Sequence, residues 1–107
     1  MTLFPQGADW ARARDAAGLE TNSHEDMHAG ELETSILLHV TPSVVQPGNE
    51  TADHIAGDRT HMLSLGLAKY TSTGVVGRPS LGTADKGARA ITNFVDGFAS
   101  YYGVLTR

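Results

Sequence analysis

Met27-His28-Ala29-Gly30-Glu31-Leu32-Glu33-Thr34-Ser35-Ile36-Leu37-Leu38-His39 sets a histidine, a glycine turn and two carboxylates directly against an apolar run. The run reads as a buried helix. Gly30 permits a tight backbone approach, and Glu31 and Glu33 fall in the first helical turn, where negative side chains suit the positive end of the macrodipole. At about 3.6 residues per turn the two acids lie roughly 200° apart, so they cannot both face solvent while Leu32 and Ile36 face a core. One carboxylate is therefore expected to turn inward or toward a cleft. A partly desolvated carboxylate near a histidine has a raised proton affinity and needs a partner, which is a starting condition for acid–base chemistry.

Further along, Gly74-Val75-Val76-Gly77-Arg78-Pro79-Ser80-Leu81-Gly82-Thr83-Ala84-Asp85-Lys86-Gly87 is a second distinctive stretch. HAGELETSILL resembles the His-Ala-Gly-Glu-x-Glu-Thr-Ser motif of the creatininase (creatinine amidohydrolase) family, and the second stretch is similar to that family's later signature. The resemblance runs from about Ala8 onward and corresponds to the C-terminal half of a family member. It implies an α/β fold, a partial three-layer αβα sandwich with a mostly parallel sheet whose N-terminal half is missing. It also implies a metal-dependent hydrolase acting on a small cyclic amide or formamide C–N bond. His28 would then be the general acid/base, Glu33 would hold a neighbouring group by a hydrogen bond, and Glu31 would assist at the helix start. The family often places an acid two or three positions before the motif histidine, so Glu25 or, by preference, Asp26 would orient the His28 ring.

The resemblance implies a divalent metal, zinc, manganese or iron. Its usual ligands, a Glu-x-His pair, a following Asp and a Gly-His segment, lie upstream of the first motif in the family and are not found in this chain. Arg78 stands where the second signature often carries an acid. Two readings follow: an amidohydrolase present as a truncated chain, or a catalytically silent fragment acting as an interaction or assembly partner. A homo-oligomer is expected where the full domain is present. Removing half of such a sheet leaves an open edge, so the expected monomer is marginally stable.

A length of 107 residues bounds the chain to a single domain, residues 1–107. Hydrophobic residues at 40%, charged residues at 19% and a formal net charge of -4 give a soluble composition with no basic patch for nucleic acid or an anionic membrane. With no cysteine, disulfides, thiol nucleophiles and Cys-type zinc sites are excluded together. No run spans a bilayer, and Met1-Thr2-Leu3-Phe4-Pro5 lacks the pattern of a signal peptide, so the expected location is the cytoplasm.

In chain order, Asp9 is predicted to cap a helix over Trp10 to Ala17 that Gly18 stops. Leu19 to Met27 is a polar loop leading to the histidine. The helix over Glu31 to Val40 should end before Pro42. Ser43 to Val45 is read as a short strand or turn, and Gln46 to Thr60 as a surface loop in which Asp53 and His54 are solvated. Met62 to Leu67 alternates as a half-buried strand does. Thr83 should cap a last helix whose stripe Ala84, Ala88, Ile91, Val95, Phe98 and Tyr102 faces the core.

Overall fold

The computed structural model describes all residues from Met1 to Arg107. Four α-helices carry it: α1 Gly7–Ala17, α2 Glu31–Val40, the single turn α3 Met62–Leu65, and α4 Ala84–Leu105. Short 3-10 turns at Pro42–Val44, Asn49–Thr51, Leu67–Lys69 and Pro79–Leu81 punctuate the connections. Helix α4 lies against both α1 and α2.

The predicted αβα sandwich is overturned: the chain is 55% helical with 4% strand and contains no sheet. Extended structure is limited to two isolated antiparallel bridges, His28 with Val76 and His54 with Gly77. A strand holds its backbone only if a neighbour accepts its hydrogen bonds along its length, and none runs beside these segments. Met62 to Leu65 accordingly coils into α3, with Leu63 fully exposed, and the predicted strand there is not formed.

The helices end much as their residues dictate. Gly18 closes α1 in the left-handed conformation, with φ at 67°, and Thr41 ends α2 just before Pro42. Thr83 caps α4 through its side chain, which accepts from Lys86 N. Asp9 differs from its predicted position: α1 begins at Gly7, so Asp9 sits in the first turn and is itself buried. There it accepts from Gln6 N at 2.8 Å and from the Tyr101 hydroxyl at 2.7 Å, tying α1 to α4.

The core is built from small residues. Ala13 and Ala17 of α1, Leu32 of α2 and Ala90 of α4 are buried, with Leu19 and Ile36 packed alongside. Gly87 lets α4 seat directly on the α2 backbone: a Cβ there would stand 2.0 Å from the Ser35 carbonyl oxygen. This close approach rotates α4 away from the predicted orientation. Its inward face carries Gly87 and Ala90, with Phe94 and Tyr101 joining an edge-on aromatic cluster with Phe4 and Trp10. The stripe expected to face the core is instead turned largely outward, with Val95, Phe98 and Tyr102 exposed.

Candidate functional site

The two sequence motifs meet in space, and the second grips the first. Val76 N donates to the His28 carbonyl at 2.9 Å, while Met27 N and His28 N both donate to the Val76 carbonyl. Gly30 and Gly77 touch backbone to backbone, since a Cβ on Gly77 would lie 2.7 Å from the Gly30 Cα. Side chains larger than hydrogen have no room at either position. Further on, Gly82 abuts Thr34, Ser35 Oγ accepts from Thr83 N, and Lys86 reaches Glu31.

Of the two helix-start acids, one turns inward as expected, and it is Glu31. Its carboxylate is fully buried. It accepts from Glu20 N and Thr21 N at 3.0 Å each, from Thr21 Oγ1 at 2.8 Å and from Lys86 Nζ at 2.7 Å. Burial pushes this carboxyl up, but Lys86 and the hydrogen bonds from Thr21 and Glu20 outweigh it and hold the group below its usual range. The ammonium behaves conversely: burial lowers it, and Glu31 and then Glu20 raise it further than burial takes away. A carboxylate with four donors and no solvent access works as a clamp between the loop after α1 and the start of α4.

Asp26 is likewise part of the frame. Rather than orienting the His28 ring, its carboxylate caps α2, accepting from Glu31 N at 2.8 Å and Leu32 N at 3.1 Å. It also pairs with Arg14 at 2.7 Å, and Arg14 reaches on to the Thr21 carbonyl and hydroxyl. Gly30 is the helix N-cap residue and brings no side chain, so the orphan N–H groups of α2 need this acceptor from five residues upstream. Glu25 accepts from Asn22 N within the polar loop.

His28 and Glu33 remain at the surface, with side chains 55% and 56% exposed and His28 Nδ1 at 3.8 Å from Glu33 Oε2. That separation is too long for a hydrogen bond and close enough for an ion pair when the ring is protonated. Glu33 also accepts from Ala29 N. Ala29 is the one non-glycine residue with positive φ, at 53°, so Glu33 fastens a turn that most side chains avoid and that carries His28 immediately before it.

The pair lies on the edge of an open apolar concavity of about 450 Å³ lined by His28, Ala29, Glu33, Thr34, Ile36 and Leu37. A second hollow of about 340 Å³ shares Ala29, Thr34 and Leu37 and continues past Val44, Val45 and Val75. His28 and Glu33 are the ionisable groups of this double hollow. Thr34 and Leu37 were not singled out in the sequence. The signal for Leu37 is its place four residues after Glu33 on one helical face, and Thr34 stands three residues before Leu37.

Asp53 and His54, expected to be solvated, have partners. Asp53 accepts from Ser80 N at 2.9 Å and from its hydroxyl, and lies beside Arg78. Burial pushes its carboxyl up, and Ser80 and Arg78 more than reverse that. The His54 ring meets the Tyr70 carbonyl at 2.6 Å. Arg78 is thus occupied in holding the loop that carries the second bridge.

No three His, Asp or Glu side chains converge to hold a metal ion. His28 and Glu33 supply two donors at most, since Asp26 and Glu31 are spent on backbone N–H groups and cations. The residues present do not fit the divalent metal centre that the sequence resemblance implies. No helix is long and apolar enough to cross a membrane.

A family model described as creatinine amidohydrolase matches residues 2–102. Among curated proteins, a mycofactocin precursor peptide peptidase of Mycobacterium ulcerans (strain Agy99) is 36% identical over 92 residues, covering 83% of this chain and 34% of the relative. Proteins of the same description in Mycobacterium tuberculosis (strain H37Rv) and Mycolicibacterium smegmatis are 38% and 35% identical, covering 66% and 69% of this chain and 30% and 31% of their own lengths. The chain therefore spans about one third of the curated relatives it matches. No solved structure matches it significantly.

Proposed function

The chain belongs to the creatininase family, and from that premise we propose that it supplies the His28–Glu33 wall of a hydrolase site that cleaves a peptide amide. The observation that carries this reading is the isolation of those two ionisable groups on the rim of an otherwise uncharged hollow. In such a surround an extended peptide lies with its side chains over Leu37, Ile36 and Val44. With Nδ1 toward Glu33, Nε2 is the ring nitrogen left for the reacting amide. His28 then delivers a proton to the leaving nitrogen as the C–N bond breaks, and Glu33 fixes the turn beneath it through Ala29 N. Activation of the attacking water, and any metal that serves it, falls to residues outside these 107.

The names of the relatives point to peptides rather than to the cyclic amide or formamide expected from the sequence resemblance. A chimera tests the choice: the Mycobacterium ulcerans peptidase with this chain in place of its matched segment, assayed in parallel on peptides with apolar side chains and on creatinine. Turnover of peptide with none of creatinine is the expected result. Turnover confined to the cyclic amide would overturn the peptide reading.

A further inference from the structure

Trp10 and Arg14 stand four residues apart on one face of α1, and together with Met27, Leu32 and Glu33 they line a cavity of about 320 Å³. A smaller hollow of about 280 Å³ shares Trp10 and Arg14 and continues past Gly7 and Ala11. The indole is held in place by its own packing. It stands edge-on to Phe94, with ring centroids 5.1 Å apart, and is still 44% exposed. Met27 and Leu32 add apolar surface beside it, so the cleft has an aromatic wall, an aliphatic wall and a carboxylate at its edge.

The charges of this cleft do not balance. Arg14 is committed inside the chain: it donates to Asp26 Oδ2 at 2.7 Å and to the Thr21 carbonyl at 2.6 Å, with its side chain only 12% exposed. Asp26 answers that cation directly, which leaves Glu33 as the unmatched charge of the lining. Glu33 Oε2 accepts from Ala29 N and lies on the His28 side, whereas Oε1 accepts no hydrogen bond from any group of the chain. An indole, apolar walls and a free carboxylate oxygen suit a cation on an alkyl stem: the stem lies along Met27 and Leu32, and the head meets the ring quadrupole and the carboxylate together. An anion would meet Glu33 with only an already paired arginine to offset it. We propose that this cleft binds a basic side chain, of arginine or lysine. Glu33 also lines the hollow beside His28, so the cleft is a specificity subsite for the residue next to the cleaved amide. That subsite assignment rests on the peptide-hydrolase reading of His28, while the affinity for a cation does not.

Trp10 is the sole tryptophan of the chain, so its fluorescence reports on the cleft directly. The free chain is titrated with Nα-acetyl-arginine amide, Nα-acetyl-lysine amide and Nα-acetyl-citrulline amide, the last keeping the shape of arginine without its charge. A saturable change in emission is expected with both cations, at least about fivefold tighter than with citrulline, and Glu33→Gln should bring the three together. The glutamine keeps an oxygen for Ala29 N, so the fold should survive, with an unchanged far-UV circular dichroism spectrum as the check. Equal binding of arginine and citrulline, no saturable change with any of the three, or a preference that persists in Glu33→Gln would overturn the cation site. In the chimera with the Mycobacterium ulcerans peptidase, kcat/KM should favour a peptide with arginine over one with citrulline beside the cleaved bond by about fivefold or more. Trp10→Leu should lower that ratio at least about twofold, and Glu33→Gln should bring it to about one whatever happens to the common rate. A ratio of one in the parent chimera would overturn the subsite. A chimera whose rate ignores His28→Asn, beside a free chain that binds the arginine amide through Glu33, would sink the catalytic wall and leave the cation site standing; the opposite pair of results would do the reverse.

Discussion

Lys86 Nζ lies 2.7 Å from Oε2 of Glu31, a carboxylate with no solvent-exposed surface. The pair joins the two sequence motifs at the point where α2 and α4 both begin. Glu31→Ala leaves the ammonium beside an emptied space and strips acceptors from Glu20 N and Thr21 N. A loss of about 3–5 kcal/mol in unfolding free energy is expected, read from the urea midpoint at neutral pH. A loss below about 1 kcal/mol would mean that the clamp is ornamental.

Gly87→Ala sets a propensity gain against a clash. Alanine in a helix interior gains about 1 kcal/mol over glycine. Its Cβ, however, would stand 2.0 Å from the Ser35 carbonyl oxygen, which is backbone and cannot swing aside. The clash should win, leaving a net destabilisation of about 2 kcal/mol or more in thermal or chemical unfolding. A more stable variant would show that the two helices do not approach so closely.

Asp26→Ala removes the acceptor for Glu31 N and Leu32 N and leaves Arg14 without its carboxylate. About 2 kcal/mol of stability should go with it. In the chimera the same change, made as Asp26→Asn, should lower Tm while leaving the peptide-cleavage rate per folded molecule within about threefold, because Asp26 acts on the helix and not on the imidazole. A fall in rate with Tm unchanged would restore the orienting role expected from the sequence.

Acid should unfold the chain through the same groups. Asp9, held low by Gln6 N–H, Tyr101 and Arg12, and Glu31, held low by Lys86 and Thr21 against its burial, both bind protons more weakly folded than unfolded. The unfolded chain therefore takes up more protons, and stability falls as pH drops. Their contribution is complete above the ordinary Glu31 value of 4.5 and is lost as pH passes down through the folded-state values. Urea midpoints measured from pH 7 to pH 3 should decline, and the difference between parent and Glu31→Gln should shrink toward the acid end. A parent midpoint independent of pH would contradict this.

Local chemistry in the sequence carried well to the helices. Thr83, Pro42 and Gly18 end or begin elements where their backbone preferences require it, and the angular separation of Glu31 from Glu33 sends one acid inward and one outward. What the sequence could not reveal depends on partners distant in the chain. Asp26 and His28 are near neighbours in sequence, but Arg14 and the N–H groups of α2 claim the carboxylate first. Lys86 is unremarkable until α4 delivers it to Glu31 from 55 residues away. The α4 stripe fails for a different reason: periodicity says that a face is apolar, not which of two faces meets α2, and Gly87 decides that by admitting the Ser35 backbone. The expected sheet fails because an alternating segment becomes a strand only beside another strand.

The claim that His28 does the chemistry while Glu31 and Asp26 hold the frame is tested most directly by the rate of peptide cleavage in the chimera carrying His28→Asn. His28 is half-exposed and its ring makes no hydrogen bond to the frame, so Tm should stay within roughly 4 °C of the parent. The rate should fall by about 10²-fold or more, the usual worth of a positioned proton donor. A variant that cleaves peptide as fast as its parent would contradict the account.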